Sequence, residues 1–221
     1  RQMCIRDRVE GFVTAPNGNR VGIAATAVEK DGTVTAIRDV QSLNIRIARE
    51  ERGCARGVLN MLFVGRLPSI IVAAPPGGGK TTVLRDLARA LSGGFGGRYR
   101  KVSIVDERGE FGGFSPGVNT DVLTGFGKKK GIEIAVRTLS PELIVCDEIA
   151  DDAEVDAIKA GFSSGVAFAV SVHIRDAEDL VHKSIIKKLY LTGEFDYVVL
   201  LEEYGDTFSV VDLRGGGLSL I

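Results

Sequence analysis

Polar and apolar positions change rhythm partway along the chain. From Gly11 to Ile47, β-rich runs alternate with turn signals: Asn17-Gly18 separates two runs, Lys30-Asp31-Gly32 separates two more, and Ser42 to Ile47 alternates polar and apolar residues. This pattern predicts the C-terminal part of a β-rich N-terminal domain over residues 9–50. Ala48 to Phe63 then carries apolar residues at helical spacing and leads to Pro68, which predicts a linker helix within residues 51–68. From Ser69 onward the pattern becomes strand, loop, helix, repeated. Strands are expected at Ile70–Ala74, Lys101–Asp106, Leu143–Asp147, Val166–His173 and Tyr197–Leu201. Helices are expected near Lys80–Leu91, Ile132–Leu139, Asp152–Gly161 and Asp176–Leu189. Such alternation predicts an α/β fold over residues 69–217, with a parallel sheet covered by helices on both faces.

Composition narrows this picture without changing it. A chain of 221 residues can hold one full domain and a fragment of another. With 28 Lys and Arg against 29 Asp and Glu, overall charge gives no reason to expect nucleic acid or an anionic membrane as the main partner. The absence of Trp further weakens a base-stacking surface. No apolar run reaches the roughly 18 residues of a membrane span. Cys4, Cys54 and Cys146 have neither zinc-site spacing nor the density of a disulfide scaffold, which suggests a reducing cytosol, and Cys146 reads as a small core residue.

The two ends read differently from the rest. Met3-Cys4-Ile5-Arg6-Asp7-Arg8 matches the translation of a transposase adapter, and Leu218-Ser219-Leu220-Ile221 matches the same oligonucleotide in the opposite sense. Residues 1–8 and 218–221 are therefore expected to be adapter-derived and are set aside from the fold argument. The alternative is a genuine basic N-terminus and a genuine apolar tail.

The candidate chemistry begins at Ala74-Pro75-Pro76-Gly77-Gly78-Gly79-Lys80-Thr81-Thr82, which follows an apolar strand and opens a helix. That is the context a phosphate-binding P-loop requires. Pro76 to Thr82 would cradle ATP: glycines turn backbone N–H groups onto phosphate oxygens, Lys80 reaches the β and γ phosphates, and the Thr81 hydroxyl ligates Mg²⁺. The strict pattern has Gly where this chain has Ala74, a change tolerable at negative φ. Downstream, Leu143-Ile144-Val145-Cys146-Asp147-Glu148 is an apolar strand ending in two acids. Asp147 can hold Mg²⁺, and Glu148 can orient the attacking water. Glu107, in Asp106-Glu107-Arg108, ends the intervening strand and is a second candidate for positioning water. His173 ends the next strand and is either a γ-phosphate sensor or a structural histidine; His182 reads as structural. Together these blocks sharpen the fold to a RecA-like P-loop NTPase core.

The blocks, in this order, resemble the stage III sporulation protein AA family, relatives of the type II and type IV secretion and pilus ATPases. The likeness spans residues 9 to 214. Beyond the P-loop, it is carried by Gly18 to Ala24, Ser42 to Glu50, Val105-Asp106-Glu107-Arg108, Thr120 to Leu123 and Ser140-Pro141-Glu142. The resemblance implies a homo-hexameric ATPase, cytoplasmic or peripheral at the inner face of the membrane, that powers a secretion or sporulation channel complex. It implies an Asp-box role for Glu107, a Walker B role for Asp147 and Glu148, and a His-box role for His173. Arg46 and Arg49 become candidates for arginines that meet a neighbour's nucleotide. The chain departs from the family pattern in a short 112–119 loop, in Asn119 and in Ile174 after His173. The rival reading is a RecA-like ATPase acting on nucleic acid, whose best support is Lys128-Lys129-Lys130, a run that also reads as a solvated turn. A third is an ATP-dependent interaction module with little turnover.

Overall fold

The computed structural model describes residues 11–14, 19–47, 50–111, 115–202, 207–215 and 219–220. The chain divides into two compact units, Arg1–Glu50 with Gly109–Phe114, and Glu51–Arg108 with Ser115–Ile221. In the first, β1 (Phe12–Thr14), β2 (Arg20–Lys30) and β3 (Thr33–Arg46) form an antiparallel sheet in that order. Asp31 and Gly32, at φ 53° and 74°, form the two-residue turn between Lys30 and Thr33 that the sequence predicts. The Asn17-Gly18 turn lies outside the described residues.

The second unit is an eight-stranded sheet flanked by helices. Its strands are β4 (Ile70–Ala74), β5 (Val102–Asp106), β6 (Thr120–Thr124), β7 (Leu143–Cys146), β8 (Ala167–His173), β9 (Tyr197–Glu202), β10 (Thr207–Asp212) and β11 (Ser219–Leu220). The spatial order is β11-β10-β9-β4-β8-β7-β5-β6. From β9 to β6 all neighbours are parallel, whereas β10 and β11 add on antiparallel. β4, β5 and β7 are buried along their whole length, as strands covered on both faces must be. One feature of the strand order matters for the site. β8 inserts between β4 and β7, so the strand before the glycine-rich loop and the strand before Asp147-Glu148 flank a common neighbour.

The helices are α1 (Arg56–Leu62), α2 (Lys80–Ser92), α3 (Lys128–Ile134), α4 (Asp152–Phe162), α5 (Asp179–His182) and α6 (Ser184–Tyr190). Residues 51–68, expected as one linker helix, are helical only over α1, because Gly53 and Gly65 take left-handed φ on either side. The expected helix at Asp176–Leu189 is broken at Lys183, whose ψ of 119° is extended. The helix expected at Ile132–Leu139 starts four residues early, at Lys128, and continues into a π-helical turn at Ala135–Leu139.

Strands β6, β10 and β11 were not anticipated. β6 is an edge strand with a partly exposed alternating face, so it has no apolar run to announce it. Ser219 and Leu220, set aside from the fold on sequence grounds, pair through their backbone with Asp212 and Val211. One apolar cluster joins alternate residues of the parallel strands, such as Ile71, Ala73, Val170 and Val172, to Ile132, Ile158 and Leu189 of the helices. Among the described residues no helix is long and apolar enough to cross a membrane.

Candidate functional site

The site forms at the carboxyl ends of β4, β7 and β8, where side chains cannot continue into the sheet and the helix N-termini converge. Ala74 ends β4 in extended conformation, and the loop after it turns through Gly77 and Gly79, at φ 78° and 83°. A side chain at Gly78 would bring its Cβ to 2.8 Å from that of Ala74, so the residue that departs from the usual pattern makes its neighbour's glycine obligatory. Gly79 is the N-cap of α2 and offers no side-chain acceptor to the helix. The first-turn N–H groups therefore face the loop without a cap, as an anion site requires.

Lys80 is buried. Its Nζ donates to Ala74 O (2.9 Å), Pro75 O (2.9 Å) and His173 Nδ1 (2.8 Å). All three ammonium hydrogens are thus engaged. Because an ammonium can only donate, His173 Nδ1 must be the accepting nitrogen, which puts the ring proton on Nε2, 3.4 Å from Glu148 Oε1. Burial pulls the Lys80 pKa below the ordinary lysine value, against the opposing charges of Asp147 and Glu148, and Lys183 lowers it further.

Thr81 Oγ1 donates to Asp147 Oδ2 at 3.2 Å, bringing the two candidate magnesium partners together. Ser171, two residues before His173 on β8, fixes this arrangement. Its hydroxyl donates to Asp147 Oδ1 (2.7 Å) and accepts from the backbone N–H of Glu148 (2.9 Å). Ile149 N–H donates to Ser171 O at 2.9 Å, so the turn after β7 is sewn to β8 from both sides. Glu148 itself sits at φ 38°, a left-handed conformation that a non-glycine residue holds only when its surroundings enforce it. Arg108 Nη1 lies 3.2 Å from Glu148 Oε2, and Lys183 Nζ donates to the His173 carbonyl.

The structure therefore brings together Lys80, Thr81, Asp147, Glu148 and His173, with Pro76 to Thr82 forming the loop and first turn. Glu107 belongs to a neighbouring network, in which its Oε2 pairs with Lys128 Nζ at 3.0 Å. Lys128 is not part of a solvated turn: it is buried between Glu107 and Glu154, because two carboxylates compensate its charge, and only Lys129 and Lys130 are exposed. Arg46 is an exposed residue at the end of β3 in the other unit, and Arg49 lies outside the described residues. Sequence reasoning missed Ser171, Arg108 and Lys183. Ser171 left a signal, as a lone polar residue inside an apolar strand and on the same face as His173, and Arg108 stood in the Asp106-Glu107-Arg108 block without an assigned role.

A family model described as sporulation stage III, protein AA, matches residues 5–215. The chain belongs to this family. It is 35% identical to the stage III sporulation protein AA of Bacillus subtilis (strain 168) over 221 residues, which cover 95% of this chain and 72% of that protein. Among solved structures it is similar to the Legionella pneumophila ATPase DotB, with a TM-score of 0.57 at 14% identity over 89% of this chain and 58% of that one. It is equally similar to the pilus retraction motor PilT, solved with bound ADP, with a TM-score of 0.58 at 14% identity over 90% of this chain and 64% of that one. The chain spans less than two thirds of these two solved chains. At such identities the likeness is one of fold. This chain thus shares a RecA-like α/β architecture with these two proteins.

Proposed function

We propose that this chain binds ATP with Mg²⁺ at residues 76–82 and hydrolyses it, as a subunit of a homo-hexameric motor in a membrane-associated secretion or sporulation complex. The observation that carries the reading is the contact between Thr81 Oγ1 and Asp147 Oδ2, 3.2 Å apart beside an uncapped helix N-terminus. Among the described residues no group of three or more His, Cys, Asp or Glu could hold a metal alone. A hydroxyl and one carboxylate suit Mg²⁺, which takes few protein ligands and completes its shell with phosphate oxygens and water. Bound MgATP would supply the transferable phosphoryl group and neutralise its charge.

This chain's own residues have defined tasks in that scheme. Lys80 exchanges its His173 contact for phosphate oxygen while keeping Ala74 O and Pro75 O as anchors. Ser171 holds the Asp147 carboxylate toward Thr81. Glu148 orients the attacking water, and its own orientation is set by His173 Nε2–H and Arg108. His173 is then the group that exchanges partners when phosphate arrives or leaves, which suits a sensor. The likeness to an ATPase and to a motor with bound ADP supports the nucleotide assignment. The burial of Lys128 removes the main support for a nucleic-acid motor. Glu148→Gln tests the reaction: ATP affinity should persist while turnover falls by about 10²–10⁴-fold, the scale of positioned acid–base help. Wild-type turnover in that variant would move the role to Glu107.

A further inference from the structure

Lys128 is a buried charge that the proposed reaction leaves unused. Its side chain, 8% exposed, places Nζ 3.0 Å from Glu107 Oε2 and 3.2 Å from Glu154 Oε1. The placement follows from close packing. A Cβ on Gly131 would lie 2.4 Å from Val105 Cγ1, so α3 can press against β5 only with glycine there, and its first residue is carried over Glu107. Glu154 is equally committed: its second oxygen, Oε2, accepts from Ala150 N–H (2.7 Å) and Asp151 N–H (3.4 Å), while Asp151 caps α4 in return. Ala150 is two residues beyond Glu148, whose left-handed φ needs external support. One ammonium thus joins the acid at the end of β5 to the turn that carries the acid at the end of β7. Burial disfavours the Lys128 charge most strongly, but the hydrogen bond to Glu107 and the pull of both carboxylates outweigh it and raise its pKa.

We propose that Lys128 is a positioning residue for ATP hydrolysis, holding Glu107 and the Glu148 turn in fixed relation; the proposal rests on reading the site as an ATPase centre. A purely structural ion pair would lower stability without separating binding from turnover. Lys128 instead acts through the two acids, so its loss should reduce kcat and spare nucleotide binding.

The test uses the full chain. Lys128→Met keeps the stem and removes the charge. Turnover of ATP should fall about 10²-fold, the effect of misplacing a catalytic group by about 1 Å. ATP affinity by titration calorimetry should stay within about threefold, as expected when only transition-state positioning is lost. The double variant with Glu107→Gln should be no slower than the slower single variant, since both changes remove one coupled unit. In the nucleotide-free protein, hydrogen exchange at Ala150 and Asp151 amides should accelerate. If Lys128→Met does not fold, Glu154→Gln keeps an acceptor for Ala150 N–H, weakens the hold on Lys128, and should show the same split. Wild-type turnover in the folded variant, multiplicative losses in the double variant, or unchanged amide exchange would each overturn the proposal. A wild-type protein without turnover would instead defeat the ATPase reading, and amide exchange would still decide whether Lys128 holds the turn.

Discussion

Ser171→Ala removes one oxygen and leaves almost no cavity, so its effect isolates hydrogen bonding. The Ser171 hydroxyl is fully buried and spends its hydrogen on the Asp147 carboxylate at 2.7 Å, a charge-assisted bond worth about 1.5–3 kcal/mol. The same oxygen accepts from Glu148 N–H at 2.9 Å, and leaving that donor unpaired costs about 1–3 kcal/mol more unless water reaches it. Water at the open side of the turn offsets part of this sum, and a net loss of about 2–4 kcal/mol is expected. At roughly 2–4 °C per kcal/mol for a unit of this size, Tm should drop by about 4–16 °C. Ser103 provides the control. It is also fully buried, on β5, but its hydroxyl finds no hydrogen-bond partner among the described residues. Ser103→Ala should therefore leave Tm unchanged or raise it. The assay is thermal unfolding followed by circular dichroism or calorimetry, on the three proteins in one buffer. If Ser171→Ala melts with the wild type, or if Ser103→Ala loses as much, the hydrogen-bond account of the turn after β7 is wrong.

Asp86 supports a different point, the backbone entering α1. Burial alone would raise its pKa, but hydrogen bonds from Arg89, Ala55 N–H and Gly53 N–H hold it below the ordinary value. A carboxylate with a depressed folded pKa contributes stability above its unfolded value of about 3.9 and loses it as pH falls further. Asp86→Asn should therefore cost stability at neutral pH and show a flatter decline below about pH 4, read from denaturant midpoints across pH. The same variant should speed alkylation of Cys54, whose thiol is pushed up to about 11 by burial first and by the Asp86 charge second. Residue-resolved mass spectrometry would check this. For the arginines, a variant carrying Arg46→Ala and Arg49→Ala should bind ATP but hydrolyse it poorly. Mixing it with Glu148→Gln should restore turnover where an intact acidic site meets an intact arginine segment. Turnover that only averages the two parents, despite co-assembly seen by light scattering, would exclude a role in trans.

Much of the second unit was legible in the sequence because its candidate site residues sit at strand ends, and buried parallel strands write themselves as short apolar runs. Ile70–Ala74 and Leu143–Cys146 are such runs, and each delivers its polar residues where the run stops. Edge strands write no such signal: β6, Thr-Asp-Val-Leu-Thr, has only two apolar residues and no fully buried position. The break in the helix expected at Asp176–Leu189 was illegible for a related reason, since no glycine or proline marks Lys183, where the backbone turns extended. Lys128 shows the limit most clearly. A run of three lysines looks solvated in one dimension, and only the fold brings Glu107 and Glu154 to the first of them. Ser171 could have been suspected from its place inside β8, but its two partners come from the turn after β7.

The central claim is that residues 76–82 hold the phosphates of ATP, with Lys80 as the one side-chain cation anchored within that loop. The most direct measurement is titration calorimetry of MgATP into the wild-type chain and into Lys80→Ala, with folding of both verified. The account predicts saturable binding to the wild type, and binding weakened beyond detection when the charge-assisted contacts to the β and γ phosphates are lost. Equal affinity in the two proteins, or no binding to the wild type at millimolar ATP, would contradict it.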